Sequence, residues 1–116
     1  MTIQQILGAL ATVLALSAGQ VLFKLASGKL DFTGQGFWAS TLFNLPLMAA
    51  LLVYGGATFA WLLVIKNVPL RTAYPFVALA FVIVPVLSYF FLDESLSVKT
   101  LIGAAFIFIG VCISVI

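Results

Sequence analysis

Residues 66–76 read KNVPLRTAYPF and interrupt the second half of a sequence that is otherwise almost uniformly apolar. Lys66, Arg71, two of the four prolines (Pro69 and Pro75) and a tyrosine that reads as buried, Tyr74, all fall inside this stretch. Proline donates no backbone hydrogen bond and disfavours helix in the residue before it. The stretch therefore reads as a hinge between two helices. Outward from it the charges stop: none occurs in residues 32–65 or 72–92, nor further out in 1–23 or 100–116. Crossing the hydrocarbon core takes about 20 residues of helix. A charge at mid-membrane costs about 2.5–3.5 kcal/mol even on lenient scales. Charge-free intervals of this length mark membrane spans, predicted at about 3–23, 38–65, 72–92 and 98–116.

Composition agrees. A soluble domain is about half apolar and about a quarter charged, whereas this chain is 65% hydrophobic and 7% charged, with a mean hydropathy of +1.32. The expected fold is an all-α integral membrane protein, a single four-helix transmembrane domain over residues 1–116. Such a chain has no room for a soluble catalytic domain, and it holds no nucleotide loop, paired carboxylates or nucleophile–base arrangement, so no enzyme is expected. Cys112 is the only cysteine and histidine is absent, which leaves no intrachain disulfide and no zinc site, and no cofactor is expected. The net charge of +2 is too small to argue for nucleic acid. The opening segment lacks a basic n-region and reads as a retained helix rather than a cleaved signal.

Charge informs topology instead. Lys24, Lys29 and Lys99 fall on the face with loops 1 and 3, Lys66 and Arg71 on the face with loop 2 and the termini. So even a balance puts the termini outside by the positive-inside rule and leaves room for dual topology.

Helix 1 carries Gly8, Thr12, Ala15, Gly19 and Ala26 on one side, a stripe that lets helices approach closely in lipid. It reads first as packing and second as a substrate-lining face. Gln20 and Lys24, one turn apart, stack at its far end; a lysine there commonly snorkels to the headgroups. Residues 25–36 form a linker with Asp31 and glycines, and Phe37 and Trp38 open helix 2 at interface depth. Pro46 offers a break near its start. Gly55, Gly56, Ala57 and Ala60 suit either tight helix contact or a small cavity, with packing the plainer reading. Pro75 falls in the first turn of helix 3, where its missing N–H is harmless, and Pro85 should kink that helix and free the carbonyl of Phe81. Gly103, Ile107, Gly110 and Ser114 make an association face on helix 4. Within the spans only neutral groups, among them Thr12, Ser17, Gln20, Asn44, Thr58, Ser88 and tyrosines, can supply hydrogen bonds.

WLLVIKNVPLRTAYPFVAL, with Trp61, Pro69, Ala73, Tyr74 and Pro75, resembles the helix 2–helix 3 junction of small four-helix members of the drug/metabolite transporter (EamA-like) superfamily, specifically the small subunits of the aminoarabinose-phosphoundecaprenol flippase. DESLSVKTLIGAAFIFIGVCI is similar to the acidic turn and glycine-bearing fourth helix of the same group, with Glu94, Leu96, Gly103 and Gly110 in place. Small multidrug resistance exporters share the architecture, and their first helix ends in a lysine motif like GQVLFK at 19–24. Their essential helix 1 glutamate falls where this chain has Leu16, which argues against proton-driven export of cationic drugs. The resemblance implies a multi-pass transporter of the bacterial inner membrane that flips an undecaprenyl-phosphate-linked sugar between leaflets. It also implies a homodimer, or a heterodimer with a paralogous small subunit, surrounded by membrane lipids.

For such a cargo the candidate substrate contacts are Lys24 and Arg71 for the phosphate at opposite faces, and Gln20 and Tyr74 for the sugar or phosphate. Glu94 is a further candidate, or else pairs with Lys24 or Lys99 or caps helix 4. Alternatives to flipping are multidrug-type export, or a non-transporting subunit that scaffolds a glycosyltransferase or a larger transporter.

Overall fold

The computed structural model describes residues 2–30 and 36–115, apart from the side chain of residue 37. Its described residues form six helical segments: α1 (Ile3–Ser27), α2 (Gly36–Leu42), α3 (Leu45–Lys66), α4 (Leu70–Val77), α5 (Ala80–Phe91) and α6 (Val98–Val115). With α4 and α5 taken as one interrupted helix, four segments are long and apolar enough to cross a membrane: Ile3–Ser27, Leu45–Lys66, Leu70–Phe91 and Val98–Val115. This is the all-α membrane bundle that the charge-free intervals predict.

Each start has a local cause. Thr2 and Gln5 form a reciprocal capping box at α1: the Thr2 hydroxyl accepts from the Gln5 N–H, and Gln5 Oε1 accepts from the Thr2 N–H at 2.9 Å. α1 runs on to Ser27, into the stretch read as linker, where the Ser27 hydroxyl donates to the Lys24 carbonyl at 2.7 Å. The rest of that linker, including Asp31, lies partly outside the described residues.

The expected interruption of helix 2 falls between α2 and α3. Asn44 caps α3 by accepting from the Leu47 N–H, and Pro46 sits in its first turn. Asn44 is buried, and its amide also donates to the Ala26 carbonyl at 3.0 Å, tying the start of α3 to the last turn of α1.

α1 and α3 run antiparallel and are the principal packed pair; α1 also contacts α4 and α5. A Cβ on Gly19 would lie 3.2 Å from Tyr54 Cδ2, so the stripe brings the two backbones together there. Farther along, a Cβ on Gly8 would stand at an ordinary 3.5 Å from Val64. The buried cluster Ala9, Val13 and Phe76, with Ile6, Leu10, Val64 and Ile83 against it, joins α1, α3, α4 and α5.

The third span departs from expectation twice. α4 starts at Leu70 with Pro69 as its N-cap, so Pro75 lies inside the helix rather than in its first turn and denies the Arg71 carbonyl its usual donor. An interruption that the sequence did not announce sits at Ala78–Leu79, upstream of Pro85. Ala78, Leu79, Phe81 and Val82 donate three residues back instead of four, a tightened turn that ends just before Pro85. Pro85 lies inside α5 and removes the donor for Phe81's carbonyl as expected.

Candidate functional site

Three of the five candidate residues come together. Gln20 and Lys24 on α1, Val84 and Ser88 on α5 and Glu94 beyond it line a cavity of about 300 Å³ on the face of loops 1 and 3. A neighbouring cavity of about 290 Å³ shares Ser88 and Glu94 and adds Ser95 and Thr100. Arg71 and Tyr74 stand at the other face, beside Pro75 and Ala78 and across from Gly110 and Ser114 of α6, around a cavity of about 490 Å³. Thus the candidates form two groups, one at each membrane face, with uncharged spans between them.

Tyr74 is 60% exposed in the chain, against the reading of it as buried. Ala73 and Phe76 are the residues of α4 that bury themselves, and successive helix positions are about 100° apart. Glu94 is also exposed, and among the described residues it makes no ion pair with Lys24 or Lys99. Nor does it cap the last helix: Ser97 Oγ accepts from the Thr100 N–H at 3.1 Å and bonds the Thr100 hydroxyl at 2.8 Å.

The position of Glu94 is fixed from behind instead. Asp93 adopts a left-handed conformation (φ 55°), which aspartate tolerates better than most residues. The turn brings the Glu94 N–H to the Ser88 carbonyl at 3.3 Å.

Most neutral polar groups of the spans are engaged within the fold. Thr12, Ser17 and Thr58 donate to the carbonyls of Gly8, Val13 and Tyr54, each at 2.8 Å, and Asn44 is held at both ends. Gln20 and Ser88 have no such partner among the described residues, and both face the cavity that holds Lys24 and Glu94. Ser88 was visible as a neutral span residue, but nothing in its local sequence placed it opposite Gln20.

A larger groove, about 850 Å³, lies between α1 and α3. Gly8, Thr12 and Ala15 of the first stripe form one wall and Gly56, Ala57 and Ala60 the other, with Gln4 and Asn67 at one end. A Cβ on Gly56 would meet nothing within 4 Å, so the groove is open at that position, while Ala57 beside it is buried.

The sequence matches the EamA-like transporter family over residues 9–116. A Pseudomonas paraeruginosa (strain DSM 24068 / PA7) protein named "Probable 4-amino-4-deoxy-L-arabinose-phosphoundecaprenol flippase subunit ArnE" is 35% identical over 104 residues, 90% of each chain. A Proteus mirabilis (strain HI4320) protein given the corresponding ArnF name is 30% identical over 115 residues, covering 90% of this chain and 86% of the relative. An ArnE-named protein of Pectobacterium atrosepticum is 37% identical over 65 residues, 56% of this chain and 58% of its own. No solved structure matches.

Proposed function

Because the chain belongs to the EamA-like transporter family of membrane transporters, we propose that it is one subunit of a flippase that moves an undecaprenyl-phosphate-linked sugar between the leaflets of the bacterial inner membrane. The lipid tail stays in the bilayer and only the headgroup crosses, so the protein acts by carriage and not as an enzyme. The observation that carries this reading is the division of polar groups: Gln20, Lys24 and Glu94 around one cavity at one face, Arg71 and Tyr74 around another at the opposite face. A phosphodiester anion at the membrane centre costs several kcal/mol or more unless donors or positive charge accompany it. Lys24 and Arg71 supply that charge at the two ends of the path.

The two cavities share no lining residue among those described. A second chain beside this one, either an identical copy or a paralogous small subunit, supplies the route between them, and in an antiparallel pair Lys24 of one chain lies near the level of Arg71 of the other. Similarity to proteins named for both ArnE and ArnF subunits supports a pairing of two like chains.

The test is leaflet-resolved translocation of a fluorescent polyprenyl-phosphate sugar in proteoliposomes. Lys24→Ala and Arg71→Ala are each expected to abolish most transport. Unchanged rates in both variants would reject the assignment.

A further inference from the structure

All three carboxylates of the chain, Asp31, Asp93 and Glu94, fall on the face of loops 1 and 3. Lys66 and Arg71, at the opposite face, have no acidic residue of their own chain to meet. An ion pair within one chain can therefore form at one face only. At that face Lys24 of α1 and Glu94 beyond α5 stand on the wall of one cavity of about 300 Å³, with Gln20 and Ser88. Among the described residues the two charges make no ion pair.

One partner is held and the other is free to move. Asp93, at φ 55°, turns the chain so that the Glu94 N–H donates to the Ser88 carbonyl at 3.3 Å. Lys24 is exposed and carries its ammonium on a flexible four-carbon stem. Exposed side chains change rotamer in picoseconds to nanoseconds, with no movement of the helices. The cavity is at the small end of the range for such spaces, about 300–1,000 Å³, so two side chains that meet across it fill its mouth. Glu94 also borders the neighbouring cavity with Ser88, Ser95 and Thr100, which gives its carboxylate a polar place to stand when Lys24 is away.

We propose that Lys24 and Glu94 form a reversible ionic latch. Unpaired, as in this structure, they leave the cavity open to the face of loops 1 and 3; paired, they close it. The weakness of such a pair suits the role, because an exposed ion pair biases an equilibrium only severalfold and closes the site without locking it. The cavity beside Arg71 has no latch of this kind within the chain. Alternating access requires that one face close while the other opens, and a latch at one face alone supplies that asymmetry. It follows from the placement of charge and does not depend on what is carried.

Ser88→Cys in a Cys112→Ala background reports on the latch in lipid nanodiscs, where both faces meet water. The measurement is the rate of labelling by a neutral, water-soluble maleimide. Lys24→Gln and Glu94→Gln should each speed labelling about threefold to fivefold, and the exchanged pair Lys24→Glu, Glu94→Lys should return it towards the starting rate. High salt should speed labelling when both native charges are present, a measurement that needs neither substitution, and should leave the two neutral variants almost unchanged. Ser114→Cys, in the opposite cavity, should respond to none of these changes. Simple electrostatics on the thiol gives a different pattern: loss of the Lys24 charge lowers the thiolate fraction and slows labelling, whereas loss of the Glu94 charge speeds it. The latch requires both single variants to respond in the same direction. Opposed responses, rates that neither the variants nor salt alter, or an exchanged pair that labels as fast as the single variants would overturn it.

Discussion

Asn44 does two jobs with one side chain. Its carbonyl oxygen caps α3, and its amide nitrogen reaches the last turn of α1 through the Ala26 carbonyl. Asn44→Ala removes both, and loss of a cap alone costs about 0.5–2 kcal/mol. Chemical denaturation in detergent should show a drop at the upper end of that range or beyond, and Asn44→Asp, which keeps the cap but loses the donor, should fall between. In the sequence Asn44 was legible only as one of several hydrogen-bonding residues, because its partner stands 18 positions away. The misreading of Tyr74 has a deeper cause. In a soluble helix the polar face shows which side is out, but in a bilayer the outside is apolar too. Neighbouring Ala73, Tyr74 and Phe76 therefore look equally suited to burial, and only the position of α1 separates Phe76, which is buried, from Tyr74, which is not.

The spans themselves were legible because charge is excluded from hydrocarbon at a cost of several kcal/mol per group, and the unbroken apolar intervals could mean little else. Their internal breaks were less so. Pro46 announced the interruption before α3, since proline and a capping asparagine act within one turn. The tightened turn at Ala78–Leu79 had no such local sign, since neither residue is a proline or a glycine or carries a capping side chain. The turn after α5 was recognised as acidic, but its backbone was not foreseen: Asp93 takes φ 55° and thereby sets where Glu94 stands. A β-branched residue resists that conformation, at a cost of about 1–2 kcal/mol. Asp93→Val should lower the unfolding temperature in detergent and also slow translocation, because the Glu94 N–H leaves the Ser88 carbonyl. Asp93→Gly, free of the Cβ penalty, should keep both properties near wild type.

Across the whole molecule the packing is lopsided. α1 packs against α3, α4 and α5 and is the most buried span, whereas α6 touches α4 and α5 along part of one side and exposes Leu101, Ile102, Phe106, Ile109 and Ile113. Lipid can cover such a face, so exposure by itself does not call for a protein partner. The glycines are more informative, because a Cβ on Gly103 or Gly110 would meet nothing within 4 Å. The chain's own packing therefore does not require glycine at either position, while a second chain approaching α6 closely would. This separates folding from assembly. The variant Gly103→Leu, which leaves the Arg71–Tyr74 cavity beside Gly110 untouched, should retain the helical content and unfolding temperature of the wild type, since a Cβ there meets nothing within 4 Å in the chain. If the proposed pairing of two chains runs through α6, the variant's mass in detergent, measured by light scattering, should fall from that of two chains to that of one, and translocation should fall with it. A variant with unchanged mass and activity would move any contact between chains away from this part of α6 and leave Gly103 facing lipid.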